Sequence, residues 1–201
     1  MARRTSSGPE ILLGLLAIVP MSGYSLKQAI QGSVGYFWNE SYGQIYPNLK
    51  RLEAEAFVKG RTHRQEGKPD RRIYSITEKG RDRLRKWLAV PPQPEVPRNE
   101  MLLKLFLGEQ TSIDVLVGYV EEVARRCQAT LETFLPAVRA GIHARRQYPA
   151  APYWSMAVRH GQLMAEARLR WAEETLAELR KLAARQRGDS PPRRERKHAD
   201  R

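Results

Sequence analysis

Three side chains set four and three positions apart, Gln44, Asn48 and Arg51, carry the donors and acceptors that match base edges. Glutamine and asparagine pair in bidentate fashion with adenine, and arginine with guanine. They stand in "SYGQIYPNLKRLEAEAF", residues 41 to 57, opposite an apolar stripe of Ile45, Leu49, Leu52 and Ala56. Just downstream, Lys59, Arg61, His63, Arg64, Lys68, Arg71 and Arg72 crowd a short segment with only Glu66 and Asp70 to offset them. Such a cluster suits a phosphate backbone, where cations displace condensed counterions. The same pattern also fits an ordinary solvated helix face. The basic segment tips the reading toward nucleic acid.

The elements that must position these groups follow from periodicity. Residues 9 to 88 read as three helices, a β-hairpin and a fourth helix. Pro9 and Glu10 suit the first turn of helix one, and "SGYSLKQAIQ" supplies helix two. Pro47 is the anomaly in helix three. Ser41 and Gln44 form an S-x-x-Q capping pattern, which predicts a helix starting at Tyr42 and a proline that loosens only its first turns. The N-terminal end of such a helix presents free N–H groups to phosphate. "FVKGRTHR" and "RRIYSI" predict the two strands, joined by a turn at "QEGKPD". Thr77 predicts the cap of helix four, with Leu84, Trp87 and Leu88 on one face.

Helices followed by a basic hairpin are the order of a winged helix-turn-helix, in which the third helix enters the major groove. The expected DNA-binding set is Ser41, Tyr42, Gln44, Tyr46, Asn48, Arg51, Arg61, Arg64, Lys68, Arg71 and Arg72. These residues also resemble a known family. "GYSLKQAI", "SYGQIYPNLKRLE" and "GKPDRRIYSITEKGRDRL" are similar to the PadR-type transcriptional regulators across residues 9 to 88. The second half resembles the longer-tailed branch of that family. The resemblance implies a homodimeric winged-helix repressor, released from its operator by a small molecule. Ala56-Phe57 departs from the pattern, which usually has glycine followed by an aliphatic residue. The arginine-rich end lies outside it.

The fold class expected is mainly α, an N-terminal winged helix-turn-helix plus a C-terminal helical dimerisation domain. Residues 1–88 would form the first, 89–98 a proline-rich linker, 99–186 the second and 187–201 a disordered basic tail. After the linker, Ile113, Val117, Val120, Ala124, Cys127, Leu131, Phe134 and Val138 alternate four and three, a heptad seam that Pro136 should bend. Thr111 and Asp114 resemble a capping box. A second long helix, about 153 to 185, carries Ala165, Leu169, Ala172, Leu176, Leu179 and Ala183. Stripes this long predict a partner chain, with Leu102, Phe106, Val117, Val120, Ala124, Leu131, Leu169, Leu176 and Leu179 at the dimer contact. Tyr153, Trp154 and Trp171 are candidates for an effector pocket, although aromatics at this spacing are more often core.

Bulk properties exclude several classes. The net charge is +13, and residues 1–88 alone hold 16 Lys/Arg against 8 Asp/Glu. No apolar run reaches membrane-spanning length, and no signal peptide is evident, so a cytoplasmic location is expected. The lone Cys127 cannot form an internal disulfide and reads as a small buried residue. No phosphate-binding glycine loop or nucleophile elbow occurs, and His63, His143, His160 and His198 lack metal spacing. No cofactor, metal or enzymatic role is expected. RNA is disfavoured because no aromatics interleave the basic residues. The alternative reading is a winged-helix protein-interaction or architectural module that binds DNA without sequence preference.

Overall fold

The computed structural model describes residues 8–35, 37–38, 42–65, 68–94 and 98–188. Two compact units divide between residues 95 and 96.

The first unit is built from α1 (Gly8–Ile18), β1 (Met21–Ser22), α2 (Gly23–Gln31), α3 (Ile45–Ala54), β2 (Val58–Gln65), β3 (Lys68–Ile76) and α4 (Glu78–Leu88). Leu12, Leu13 and Leu16 of α1, Leu26 and Ile30 of α2, Ile45, Leu49 and Leu52 of α3, and Val58 and Ile76 of the sheet form one buried core. Alanine at any of these leucines would cost about 2–5 kcal/mol. The hairpin runs from Val58 opposite Ile76 to Gln65 opposite Lys68, with an irregularity between His63 and Gln65. Its strands extend further into the expected turn than composition predicts. A third strand went unread. Met21 and Ser22 pair with Tyr74 and Ile73, but two residues after a proline give no periodicity to detect.

Helix α3 is entered through a 3-10 turn, and Ser41, the expected cap, lies outside the described residues. Tyr42–Gln44 form a 3-10 turn, the α-helix begins at Ile45, and Gln44 makes no side-chain cap bond. Pro47 is then the third residue of the helix. There its missing N–H would have had no intrahelical acceptor in any case. The proline breaks nothing because the helix starts later than the sequence suggests. At the other end the apolar stripe stops at Leu52. Ala56 is exposed at φ 59°, past the helix end. The N–H of Phe57 donates to Leu52 O (2.8 Å) and that of Ala56 to Glu53 O (3.0 Å), a Schellman closure. The position favours glycine, the residue usual in the pattern, and Ala56 occupies it at a cost in backbone strain.

Thr77 caps α4, its hydroxyl accepting from Gly80 N at 3.1 Å. Of the expected apolar face of α4, Leu84 packs on the core, while Trp87 and Leu88 are exposed.

The second unit contains α5 (Glu100–Phe106), α6 (Ile113–Ala129), α7 (Leu135–His143) and α8 (Ala151–Gly188). The Thr111–Asp114 box does not form. Ser112 is the N-cap of α6, without a side-chain bond. The expected single helix through Val138 is interrupted by a π-helical turn at Thr130–Phe134. Pro136 cannot donate to the carbonyl of Glu132, and a wider turn at that point accommodates the lost bond. Helix α8 has 38 residues, a rod of about 57 Å. It reaches Gly188, so the expected start of a disordered tail at 187 falls inside a helix. Residues 189–201 lie outside the described residues.

The heptad stripes meet within the chain. Leu116, Val120, Val123 and Cys127 of α6 pack against Ala172, Leu176 and Leu179 of α8. A second cluster joins Leu135 and Val138 to Val158, with Leu131 and Phe134 beside it. Of the residues expected at a contact between chains, Val120, Leu176 and Leu179 are buried within the protomer, while Val117, Ala124, Leu131 and Leu169 pack beside these clusters and stay partly exposed. Leu102 and Phe106 differ, being 45% and 85% exposed. No helix among the described residues is long and apolar enough to cross a membrane.

Candidate nucleic-acid interface

On α3 the solvent-facing residues are Gln44 just before the helix, then Tyr46, Pro47, Lys50, Arg51 and Ala54. Asn48 is less open than the other polar residues of this helix. It is 8% exposed, and its Oδ1 accepts from Arg51 Nη2 at 3.1 Å. Ile45, Asn48, Leu49 and Leu52 occupy i, i+3, i+4 and i+7, one arc of about 100°. The sequence pattern split that arc between a reading face and a core face, and the structure gives Asn48 to the core side. Asn48 positions Arg51 rather than facing outward itself. Lys50 is the residue that pattern reading missed. One position short of Arg51, it falls in neither spacing series.

Tyr46 is 59% exposed, yet a Cβ on Gly23 would come within 2.6 Å of its ring. The glycine that opens α2 lets the ring rest against the helix start. Tyr24 and Gln28 stand one turn apart on the outer side of α2, with Gln28 Nε2 donating to Tyr24 Oη at 3.2 Å. The sequence reading assigned them no role.

In the hairpin, alternation sorts the basic residues. Lys59, Arg61 and His63 pair across to Ser75, Ile73 and Arg71, so Lys59, Arg61, His63 and Arg71 share one face of the ribbon. All four are exposed. Arg71 Nη2 reaches Ser25 Oγ at 3.4 Å, which ties this face to α2.

Arg72 lies on the opposite face and serves another purpose. Its Nη2 donates to Glu53 Oε1 at 2.7 Å, and the same oxygen accepts from Gly60 N at 2.8 Å. The Arg72 hydrogen bond holds the Glu53 carboxyl below its ordinary range. A Cβ on Gly60 would sit 2.5 Å from Arg72 Nε, so only glycine leaves room for the pair. This bridge locks the hairpin to the end of α3.

A second lock closes behind it. Lys79 Nζ donates to the carbonyl of Glu55 at 2.9 Å, and Lys79 and Arg83 stand 4.8 and 4.7 Å from the Phe57 ring centroid. Arg83 also donates to Glu10 at 2.8 Å, joining α4 to α1. A Cβ on Gly80 would meet the carbonyl oxygen of Phe57 at 2.2 Å. Arg72, Thr77 and Gly80, residues of the arginine-x-tyrosine-x-x-threonine-x-x-glycine pattern, thus each help to hold the wing and α4 in place.

Ser41 lies outside the described residues, as do the side chains of Tyr42, Arg64 and Lys68. In the second unit, Tyr153 is 71% exposed, Trp154 stacks near Tyr148 (centroids 6.3 Å apart), and Trp171 packs on the α6–α8 core. Trp154 and Trp171 are separated by 17 positions of one helix, about 25 Å. They do not line a common pocket. No cluster of His, Cys, Asp or Glu able to hold a metal occurs among the described residues.

The geometry has clear counterparts. The family model described as "Transcriptional regulator PadR-like family" matches residues 12–86, and "Virulence activator alpha C-term" matches 97–180. The probable transcriptional regulator Rv1176c of Mycobacterium tuberculosis is 37% identical over 89 residues, 44% of this chain and 47% of that protein. The negative transcriptional regulator PadR of Bacillus subtilis is 36% identical over 116 residues, 55% of this chain and 64% of that protein. The chain thus spans between about half and two thirds of these relatives' length. The crystal structure of Bacillus subtilis PadR in complex with operator DNA superposes with a TM-score of 0.75 at 25% identity, covering 88% of this chain and 99% of that one. The same protein with p-coumaric acid gives 0.65 at 23% identity, covering 89% and 98%. These relatives are transcriptional regulators, not enzymes.

Proposed function

The chain belongs, through residues 12–86, to the PadR-like family of transcriptional regulators, and from that premise we propose that it is a sequence-specific repressor. It binds an inverted-repeat operator as a homodimer and is released by a small molecule. One observation carries the reading. A single compact unit presents the exposed Gln44, Lys50 and Arg51 of α3 together with the cationic ribbon face of Lys59, Arg61, His63 and Arg71. Base-edge donors on a helix and cations on a flanking ribbon are the two contact classes a winged helix divides between groove and backbone. The operator complex of the Bacillus subtilis relative, and the negative regulation in its name, support the same assignment.

In this mechanism the start of α3 enters the major groove. Gln44 and Arg51 read base edges, and Lys50 and Tyr46 lie toward the sugar-phosphate backbone. The ribbon cations neutralise phosphates. Arg72 and Asn48 act indirectly, the first holding the wing to α3 and the second orienting Arg51. The proposed organisation is a DNA-binding domain over 1–88 and a helical dimerisation and effector domain over 99–186, joined by the proline-rich linker.

Titration of duplex DNA at several salt concentrations tests this division. The double substitution Arg61→Ala with Arg71→Ala should weaken binding to every duplex and flatten the log K against log salt plot by about two units. Arg51→Ala should cost about 1–3 kcal/mol on the preferred site and little on random DNA. An unchanged salt slope in the ribbon variant would remove the ribbon from the interface. Wild-type protein that binds all duplexes equally would favour the architectural alternative.

A further inference from the structure

Between Glu132 and Glu166 the chain has no acidic residue, yet it carries Arg139, Arg145, Arg146 and Arg159 with His143 and His160. The fold gathers most of these around one cavity of about 490 Å3 between α7 with the turn after it and the start of α8. Arg139, Ile142, His143 and Arg146 stand at i, i+3, i+4 and i+7 on one wall. Ser155, Val158, Arg159 and Gln162 repeat that spacing on the other. Two helical faces therefore confront each other with cations at the rim and Ile142 and buried Val158 at the base. None of these cations pairs with a carboxylate among the described residues. Arg139 instead donates to Gln162 Oε1 at 3.2 Å, and Gln162 donates on to Glu166 at 2.6 Å.

Like charges held together around a concavity, without counter-charges, raise the local concentration of anions. Several cations elsewhere in this unit are paired, Arg125 and Arg126 with Glu122, Lys104 with Glu100 and Lys181 with Glu178. The volume exceeds that of a bare ion and falls in the range of small-molecule sites. Guanidinium groups offer planar forks to carboxylate or phosphoryl oxygens.

We propose that this cleft binds a small polyanion, with two or more carboxylate or phosphoryl groups on the arginines and a short carbon skeleton against Ile142 and Val158. This names a site and ligand class for the effector step above. It rests on that reading only for its regulatory consequence, because binding itself is measured without DNA.

The test is calorimetric titration of the full chain at constant ionic strength, with sodium pyrophosphate in one arm and citrate in the other. At least one should saturate at one site per chain, and the better of the two identifies the preferred group. Arg146→Gln with Arg159→Gln, both exposed, should keep the wild-type melting temperature and weaken that binding at least tenfold. Arg170→Gln, an exposed site elsewhere on α8, should leave it unchanged. Failure of both anions to saturate, or equal weakening by Arg170→Gln, overturns the proposal. So does a double variant that, without added anion, shows a flatter salt slope on duplex DNA, since the arginines would then serve nucleic acid. A double variant that shifts from a larger species to monomer overturns it as well, by assigning them to a chain–chain contact. Absence of anion binding would leave the DNA-binding reading intact.

Discussion

At the scale of single residues, backbone conformation and close approach decide what each position tolerates. Ala56 occupies left-handed backbone at φ 59°, which costs an alanine about 1 kcal/mol relative to glycine. Ala56→Gly should therefore raise the denaturation free energy by roughly that amount in urea melts, with no change in DNA affinity. Gly80→Ala should do the reverse, losing about 2 kcal/mol or more, because the new methyl would overlap the Phe57 carbonyl. Glu53 gives a pH signature. Its carboxyl is held low chiefly by the Arg72 hydrogen bond. The associated stability is present above the ordinary carboxylate pKa and is lost as pH falls through the depressed one. The stability gap between wild type and Glu53→Gln should thus be open near neutrality and close in acid, with a modest size because Arg72 is half exposed. Cys127 is buried, and burial pushes its thiol up. Native protein should react slowly with a thiol reagent near pH 8, and unfolded protein fast.

At the scale of elements, the sequence revealed most where one period ran unbroken. Helices α1 and α2, both long strands and the α8 stripe could be read from spacing, and the Thr77 cap from its residue type. What escaped it has physical causes. Strand β1 is two residues long and exists through its partner β3. The α-helical part of α3 starts later than expected because a 3-10 turn at Tyr42–Gln44 precedes it. The π-helical turn before Pro136 depends on how the chain compensates for a missing donor, and spacing alone does not say how. In the candidate interface, the exposure of Arg51, Lys59, Arg61 and Arg71 was legible. Asn48 was not, because its arc belongs to both faces until the helix phase is fixed. Arg72 was not, because the sequence does not show that Glu53 lies beside it. Arg72→Ala should consequently lower the melting temperature as well as DNA affinity, whereas Arg61→Ala should lower affinity alone. A thermal melt beside a duplex titration separates the two.

At the scale of the whole molecule, the heptad stripes that suggested a partner chain are covered in part within one protomer. A different surface remains open. Leu102, Leu103, Phe106 and Leu107 are each 45% or more exposed around α5, and Leu163 and Met164 are exposed on α8. A two-fold partner is the economical cover for such side chains. Phe106→Asp, at a position 85% exposed, should leave the fold intact and shift light-scattering mass from dimer to monomer. A dimer would set two copies of α3 on one face of DNA with centres about 34 Å apart or a multiple of that spacing. The central claim is that paired α3 helices read sequence, and selection of bound duplexes from a random DNA pool by the full chain tests it most directly. The account predicts enrichment of an inverted repeat whose half-sites are about 10 base pairs apart or a multiple, and loss of that enrichment with Arg51→Ala. A pool that stays unenriched, or yields a single half-site bound tightly by a monomer, would contradict it.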